Sequence, residues 1–181
     1  MNYCPSCGDR VALRVPPGDD RERHVCVACG DIHYHNPKII VGCLPTEGQR
    51  ILLCKRAIEP RYGLWTLPAG FMENGETTAD GAARETWEEA AAVATGLSLY
   101  RIFDVPHISQ VYIFYRCGIE AGRFGVGPES LETQLFTADE LPWDALAFPV
   151  VRELLLEFLD DRKRDNYPVR HSVISRGYDR R

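Results

Sequence analysis

The chain has 181 residues, of which 45% are hydrophobic and 26% are charged, so it can form one full domain with a packed core and a small appendage. The net charge of -5 argues against a protein that binds nucleic acid mainly by charge, although residues 162–181 are basic. No apolar run reaches the ~18 residues of a membrane span, and the first residues lack a secretory signal pattern. A soluble, cytoplasmic protein is therefore expected.

Four of the seven cysteines form two C-x2-C pairs. Cys4 and Cys7 lie in CPSCG, Cys26 and Cys29 lie in CVACG, and eighteen residues separate the pairs. This spacing predicts a structural site in which four thiolates hold Zn²⁺ tetrahedrally and leave no position for a catalytic water. Free or redox-active thiols are the alternative, whereas disulfides are not expected in a chain without an export signal.

Residues 1–36 are therefore predicted to form a small zinc ribbon, because so short a segment buries too little core without a metal. The polar stretch PPGDDRER between the cysteine pairs should be an exposed loop or hairpin tip. His33 and His35 are interpreted as turn or interface residues, since four cysteines already complete the site, with a role as replacement ligands as the alternative. Asn36 precedes a proline, which favours an extended joint there.

Residues 37–163 are predicted to form a larger second domain. Hydrophobic patterns predict strands at Lys38–Leu44, Arg50–Cys54, Leu99–Val105 and Ser109–Cys117, and a short strand over 63–70 that breaks at Pro68 and Gly70, while Leu135–Phe136 precedes a turn or short helix from Asp139. The first two are separated by PTEGQ and should form a hairpin. Helices are predicted at Thr77–Ala91, capped by Thr77 or Thr78, and from Pro149 to about Lys163. Residues 164–181 are interpreted as a flexible basic tail, and no chemistry is assigned to Cys43, Cys54 and Cys117.

The first of these helices carries three carboxylates on one face. Glu85, Glu88 and Glu89 have i, i+3 and i+4 spacing, and Arg84 is the one base near them. Such crowded like charges repel unless cations bind. Magnesium is commonly shared between carboxylate oxygens and substrate phosphates. The pattern indicates a metal site, with a solvated acidic helix face as the alternative.

The run GFMENGETTADGAARETWEEAAA resembles the Nudix box, which is a glycine, five residues, a glutamate, seven residues, then Arg-Glu-apolar-x-Glu-Glu-x-Gly-apolar. The matching residues are Gly70, Glu76, Arg84, Glu85, Glu88 and Glu89. Thr86 and Ala91 depart from the pattern, and Ala91 should alter only the backbone exit from the helix. The resemblance covers about Lys38–Lys163. It implies an α/β class protein, a Nudix α/β/α sandwich with a mixed sheet, preceded by the small zinc ribbon.

The resemblance also implies metal-dependent hydrolysis of a nucleoside diphosphate linked to another moiety. The three helix glutamates would bind Mg²⁺ or Mn²⁺, Arg84 would orient a glutamate, and Glu76 would brace the loop or support a ligand. Glu132 matches a downstream family glutamate that serves as a further ligand or base, with Glu129 as the second choice. A solvated loop is the alternative for both acids.

A four-cysteine ribbon before a Nudix domain resembles two groups, NADH diphosphatases and a subgroup that acts on FAD and ADP-ribose. The SQPWPFPxS-like segment of the first group has no match better than DVPHISQVY, whereas NPKIIVGCL and GPESLETQLF resemble the second. The products would be AMP with FMN or ribose 5-phosphate. Arg56, Gln110 and Tyr112 are candidates for contacting the shared ADP half, with a surface charge and core packing as alternatives.

Three further expectations follow from the resemblance. A regulator that binds ADP-ribose without consuming it is the alternative class, but the intact helix glutamates argue against it. The protein is expected to be a homodimer whose ribbon has a structural role, with a small dinucleotide-like substrate and no membrane or nucleic-acid partner. Trp65 and Phe71, which flank the box, are interpreted as packing residues.

Overall fold

The computed structural model describes residues 1–175, and its contacts separate a unit of Met1–Asn36 from a unit that begins at Pro37. The first unit contains a three-stranded antiparallel sheet in the order β1-β2-β3. These strands are β1 (Val11–Arg14), β2 (Arg23–Cys26) and β3 (Ile32–His33). The polar PPGDDRER stretch lies between β1 and β2, which confirms its prediction as a hairpin tip.

The second unit is built on an eight-stranded mixed sheet. Its strands are β4 (Lys38–Glu47), β5 (Arg50–Arg56), β6 (Trp65–Thr66), β7 (Ala69–Phe71), β8 (Ala94–Val105), β9 (Gln110–Ile119), β10 (Ser130–Phe136) and β11 (Arg170–Val173). The sheet order is β10-β5-β4-β9-β8-β11, with β6 beside β5 and β7 beside β4. The β4–β9 and β8–β11 pairs are parallel, and the others are antiparallel.

Two helices cover opposite faces of this sheet. They are α1 (Thr78–Ala90) and α2 (Pro149–Arg164). Along β4, Val41 and Cys43 pack with Ala82 of α1, whereas Leu44 joins a core cluster with Leu154 of α2. Alternate residues of a strand point to opposite faces, so the two helices lie on opposite sides of the sheet. This arrangement confirms the predicted α/β/α sandwich. No helix among residues 1–175 is long and apolar enough to span a bilayer.

Several element boundaries differ from the sequence prediction, and β8 begins at Ala94 rather than at Leu99. The β4–β5 hairpin turns at Gly48 and Gln49, because Thr46 and Glu47 already pair with β5. The strand over 63–70 breaks at the proline as predicted, with an interruption at Leu67 and Pro68, but a second short strand then runs through Gly70 to Phe71. Proline has no backbone N–H for a ladder hydrogen bond, which accounts for the interruption.

The prediction of a flexible tail over 164–181 is wrong for Arg170–Val173. These residues form β11, which pairs in parallel with β8. The Arg170 guanidinium donates two hydrogen bonds to the Asp161 carboxylate, one of them from Nη2 to Oδ1 at 2.6 Å. The strand is short and polar, and its partners lie in other elements, so hydrophobic periodicity could not reveal it. The part of the predicted tail beyond Ser175 lies outside the described residues.

Asp161 provides a test of this docking. Its side chain is 2% exposed, it accepts a hydrogen bond from the Tyr100 hydroxyl at 2.6 Å, and Arg170 lowers its pKa. We expect Asp161→Asn to lower the free energy of unfolding by about 1–3 kcal/mol, because the amide cannot accept all of these hydrogen bonds. A lowered pKa means that the stabilisation is present above the ordinary aspartate pKa and is lost as the pH falls through the folded value. Urea denaturation over a pH series measures both effects.

Asp160→Asn is the matched control. Asp160 pairs with Arg164, and both side chains are more than half exposed, so its loss should cost less than about 0.5 kcal/mol. Equal destabilisation by the two variants would contradict the anchoring role of Asp161.

Candidate active site and zinc site

The four paired cysteines come together in the first unit. Their Sγ atoms all lie within 4.8 Å of one another, with separations of 3.5 Å between Cys7 and Cys26 and 3.8 Å between Cys4 and Cys29. Tetrahedral zinc, with Zn–S bonds of ~2.3 Å, would place its sulfurs ~3.8 Å apart. Hydrogen bonding from the Cys29 backbone N–H lowers the pKa of Cys26 to about 6. The residues therefore fit zinc, and no histidine belongs to this group.

A cap fixes the start of α1, and a close approach to β7 fixes its position on the sheet. Thr77 caps the helix, and its Oγ1 accepts a hydrogen bond from the Asp80 backbone N–H at 3.1 Å. Gly70, on β7, lies against the carboxylate of Glu85, and a Cβ atom at this glycine would be 2.3 Å from Glu85 Oε1. Glycine is needed here because the helix carboxylate packs directly on the β7 backbone.

Arg84 connects the loop before α1 to two glutamates of the helix. Its Nε and Nη2 donate to Glu76 at 3.0 and 2.9 Å, and its Nη1 donates to Glu85 and Glu88 at 2.8 Å each. Nη2 also donates to the Phe71 carbonyl at 3.2 Å. The guanidinium lowers the pKa of Glu76 to about 2. The loop is thus held to the helix by charge-assisted hydrogen bonds.

Two of the three helix glutamates are buried. Glu85 is 9% exposed and Glu89 is 5% exposed, whereas the side chain of Glu88 is 53% exposed. Burial, followed by the charge of Glu85, raises the pKa of Glu89 to about 8, against the opposing charge of Arg56. Burial also raises the pKa of Glu85. Two buried carboxylates close together are unfavourable as anions, so the site favours uptake of a cation or a proton.

The helix carboxylates do not converge on one point in this arrangement. Among residues 1–175, the cysteines are the one set of three or more His, Cys, Asp or Glu ligand atoms within 4.8 Å of one another. Arg84 bridges Glu85 and Glu88, while Glu89 Oε2 accepts a hydrogen bond from the Ala69 backbone N–H at 3.3 Å. The donors are nonetheless carboxylate oxygens from one helix face, which suit a hard divalent cation.

The two downstream acids have different surroundings. The charge of Glu129 contributes to the raised pKa of both Glu85 and Glu89, so this carboxylate lies near the buried pair. Glu132 lies opposite Lys55 on the neighbouring strand, and Lys55 Nζ is 3.4 Å from its Oε2. The geometry therefore brings Glu129, the second choice of the sequence analysis, to the helix carboxylates, and leaves Glu132 in an ion pair.

The loop that carries Glu129 is held against the end of α1, which the sequence analysis missed. The backbone N–H groups of Gly125 and Gly127 donate to the carbonyls of Ala90 and Glu89 at 2.7 and 3.1 Å. A Cβ atom at Gly127 would lie 1.7 Å from the Glu88 carbonyl oxygen. The signal in the sequence was the GVGP run, whose two glycines permit this close approach.

The three candidate substrate contacts lie on the ends of β5 and β9. Arg56 Nε donates to the Pro60 carbonyl at 2.9 Å, and its charge opposes the burial that raises the pKa values of Glu89 and Tyr112, so it is near both. The Tyr112 hydroxyl donates to Gln110 Oε1 at 2.9 Å, while its ring packs against the main core cluster. Arg56 is thus close to the buried carboxylates, and the ring of Tyr112 serves mainly in packing.

The two aromatic residues that flank the box differ in burial. Trp65 is 8% exposed, as predicted, but Phe71 is 52% exposed, so the packing prediction is wrong for Phe71. Phe71 is the last residue of β7, where the chain leaves the sheet, and Lys38 Nζ lies 4.8 Å from its ring centroid.

The end of α1 departs from the Nudix pattern in residue but not in conformation. Ala91 is left-handed, with φ 46° and ψ 31°, and its N–H donates to the Trp87 carbonyl at 2.8 Å. The helix therefore ends as glycine would end it, at a cost of about 1 kcal/mol for the alanine Cβ.

Ala91→Gly should therefore raise the free energy of unfolding by about 1 kcal/mol, because glycine adopts this conformation without the Cβ clash. Ala90→Gly, one residue earlier and inside the helix, should lower it by about the same amount. Urea denaturation of the two variants measures these opposite effects. A shift in the same direction for both would contradict the left-handed cap.

Comparisons with known proteins agree with this architecture. The family model described as NUDIX domain matches residues 36–158, and the one described as Nudix N-terminal matches residues 2–35. A crystal structure of a NUDIX hydrolase from Nitrosomonas europaea has a TM-score of 0.93 and 47% identity, covering 96% of this chain and 99% of that one.

Two curated relatives have named activities. The NAD-capped RNA hydrolase NudC of Vibrio vulnificus is 29% identical over 169 residues, which are 92% of this chain and 62% of the relative. The ADP-ribose pyrophosphatase of Methanocaldococcus jannaschii is 31% identical over 116 residues, which are 60% of this chain and 67% of the relative. The chain thus spans about three fifths of the NudC sequence. With the domain match extending over most of its second unit, the chain belongs to the Nudix family.

Proposed function

We propose that this chain hydrolyses the diphosphate of a nucleoside diphosphate linked to another moiety, with ADP-ribose and FAD as its first substrates. The observation that carries the proposal is the buried pair Glu85 and Glu89, placed on a helix that also presents Glu88. Cleavage between the phosphates would give AMP with ribose 5-phosphate or FMN. The likeness to an ADP-ribose pyrophosphatase supports this substrate class.

The catalytic cation in this proposal is Mg²⁺ or Mn²⁺. Glu85, Glu88 and Glu89 would hold it, with Glu129 as the fourth acid in preference to Glu132. When bound, such a cation neutralises phosphate oxygens and lowers the pKa of a coordinated water. The raised pKa values of the buried pair support the choice, because a cation would relieve the cost of ionising both groups.

The remaining residues would position these groups and the substrate. Arg84 orients Glu85 and Glu88 and is itself held by Glu76, so the carboxylates are set before substrate arrives. Arg56, near Glu89, would bind a phosphate oxygen through its guanidinium. Gln110 and the Tyr112 hydroxyl would contact the edge of the ADP half. Positioning of this kind supplies much of the catalysis in phosphoryl transfer.

NADH is the second candidate substrate. The likeness to NudC, described as an NAD-capped RNA hydrolase, favours a nicotinamide-containing diphosphate. The absence of a segment like SQPWPFPxS after the box favours FAD and ADP-ribose instead. All three compounds share the ADP half, so the contacts proposed for Arg56 and Tyr112 do not distinguish them.

Product analysis tests the proposal. Purified protein is incubated with FAD, ADP-ribose and NADH separately, with Mg²⁺ or Mn²⁺, and AMP is quantified by chromatography. AMP released from at least one compound, and not by the Glu89→Gln variant, would support the diphosphatase and rank its substrates. Tight binding of ADP-ribose without any AMP would instead identify a non-catalytic nucleotide sensor.

Three further features belong to the proposal: the oligomeric state, the location in the cell and the role of the ribbon. We propose that the protein is a homodimer in the cytoplasm with a structural ribbon, as the family resemblance implies. Light scattering of the zinc-loaded protein gives its mass in solution, and a monomeric mass would refute the dimer.

A further inference from the structure

A polar cavity of about 150 Å³ lies on the α2 side of the sheet. Residues of β4, β8, β9 and α2 line it, among them Thr46, Ser98, Arg116 and Phe158. Arg116 is four residues beyond Tyr112 on β9, so the cavity lies ~13 Å along the strand from that substrate candidate. None of the described residues that line it is acidic.

The cavity coincides with an irregularity in β8. The pairing of β8 with β9 shifts register between Thr95 and Ser98, and Gly96 takes a φ of 61° within the shift. Ser98 then pairs with Arg116 across the two strands. Bulges of this type leave groups unpaired and occur preferentially beside functional sites. The irregularity therefore accounts for an opening beside the Arg116 side chain.

Arg116 presents a charge that no acid among residues 1–175 neutralises. Its guanidinium carbon lies 3.6 Å from the ring centroid of Tyr167 and 5.9 Å from that of Tyr100. It makes no hydrogen bond or ion pair within residues 1–175, and its nitrogens are not among the buried atoms that lack a partner. Its N–H groups therefore reach the cavity or solvent. Stacking on an aromatic ring holds the guanidinium while its in-plane donors stay available.

A second guanidinium without an acidic partner among the described residues lies on an aromatic ring of the cavity lining. The carbon of the Arg162 guanidinium is 4.6 Å from the ring centroid of Phe158, which lines the cavity. Its Nη1 donates to the Gln49 carbonyl at 2.7 Å, while its Nη2 is buried without a hydrogen-bond partner. Arg162 forms no ion pair with any acid of the described chain. Arg162 does not itself line the cavity, but together with Arg116 it adds positive charge to this side of the sheet in a chain of net charge -5.

We propose that this cavity binds a tetrahedral oxyanion, namely a phosphate group from inorganic phosphate or from a phosphate monoester. Arg116 supplies forked N–H donors that match phosphate oxygens. Ser98 supplies a hydroxyl that has no partner among the described residues. An opening of about 150 Å³ is large enough to admit a phosphate group. The site is separate from the box and does not depend on the proposed hydrolysis.

Isothermal titration of the full-length, zinc-loaded protein with sodium phosphate tests the site, without added divalent metal and at constant ionic strength. Wild type should bind phosphate saturably, and Arg116→Met should weaken binding at least about tenfold. Arg123→Met is the matched control, because Arg123 is 71% exposed and paired with Glu120, and it should bind as wild type does. Ser98→Ala should weaken phosphate binding several-fold. Because Ser98 is at an exposed position, this variant provides a second test if the Arg116→Met protein misfolds.

Two comparisons make the test decisive. Titration with AMP distinguishes the two sources, since AMP binding that depends on Arg116 identifies a phosphate monoester, whereas phosphate binding alone identifies the free ion. Absence of saturable phosphate binding would overturn the proposal. It would also be overturned if Arg56→Met abolished binding while Arg116→Met left it intact, because the phosphate would then occupy the candidate active site.

Discussion

Glu89→Gln is expected to lower diphosphate hydrolysis by about 10²–10⁴-fold while leaving the fold intact. The substitution preserves the shape of the side chain but removes one of the two buried carboxylates of the box. Without that carboxylate the site should bind a divalent cation more weakly. It should also no longer position the water that the cation would activate. Steady-state AMP release at saturating Mg²⁺ or Mn²⁺ measures the loss.

The same variant should not be less stable than the wild type. Burial raises the pKa of Glu89 to about 8, above the ordinary value of 4.5. A raised carboxyl pKa means that the folded state binds more protons than the unfolded state, so this group lowers stability as the pH rises from 4.5 towards 8. Without added divalent metal, Glu89→Gln should therefore gain stability relative to wild type over that interval. The difference should vanish as the pH falls towards 4.5.

Glu120→Gln is the control for both measurements. Glu120 is exposed and paired with Arg123, so its amide variant should keep wild-type turnover and stability within about 0.5 kcal/mol. Near-normal turnover by Glu89→Gln would show that the Glu89 carboxylate is not part of the catalytic site. A large loss of stability would show instead that its charge is stabilised by a partner other than a cation.

Cys26→Ser should release zinc and unfold the ribbon. Cys26 is 2% exposed and its sulfur lies 3.5 Å from that of Cys7, so a serine oxygen removes one of four thiolates from a closed site. Structural zinc contributes about 10–16 kcal/mol of apparent binding free energy in zinc-finger peptides, and metal binding there is coupled to folding. Zinc content by atomic emission and limited proteolysis within Met1–Asn36 are the measurements.

Cys54→Ala separates zinc loss from the general loss of a thiol. Cys54 is buried in a core cluster of the second unit, so this variant should be less stable but should keep its full zinc content. A Cys26→Ser protein with unchanged zinc content and proteolysis would refute the zinc site.

Local patterns were sufficient for several parts of this structure. The cysteine pairs predicted a cluster whose sulfurs meet within 4.8 Å, and the spacing of the box predicted a capped helix with three glutamates near one another. The apolar runs predicted the β4–β5 hairpin and both helices to within a few residues. Each of these features depends on side chains that are neighbours in sequence, or on spacing that repeats with the period of a helix or strand.

Contacts between distant segments were not accessible in the same way. Periodicity missed β11, because its stability depends on Asp161 of α2 and on pairing with β8. The preference for Glu132 over Glu129 followed a family pattern, whereas the folded chain pairs Glu132 with Lys55 and brings Glu129 to the box. The exposure of Phe71 also depends on where β7 ends relative to the sheet.

The sequence alone therefore determined the family, the four cysteines that cluster in the ribbon, and the helix that carries the acidic residues. The tertiary structure alone decided that Glu85 and Glu89 are buried, that Gly127 holds the Glu129 loop on the end of α1, and that Arg116 lines a cavity with no acid among its described lining residues. The physical reason is that pKa and ligand affinity depend on desolvation and on charges a few ångströms away. Those neighbours come from distant parts of the chain and are set only when the sheet and helices have packed.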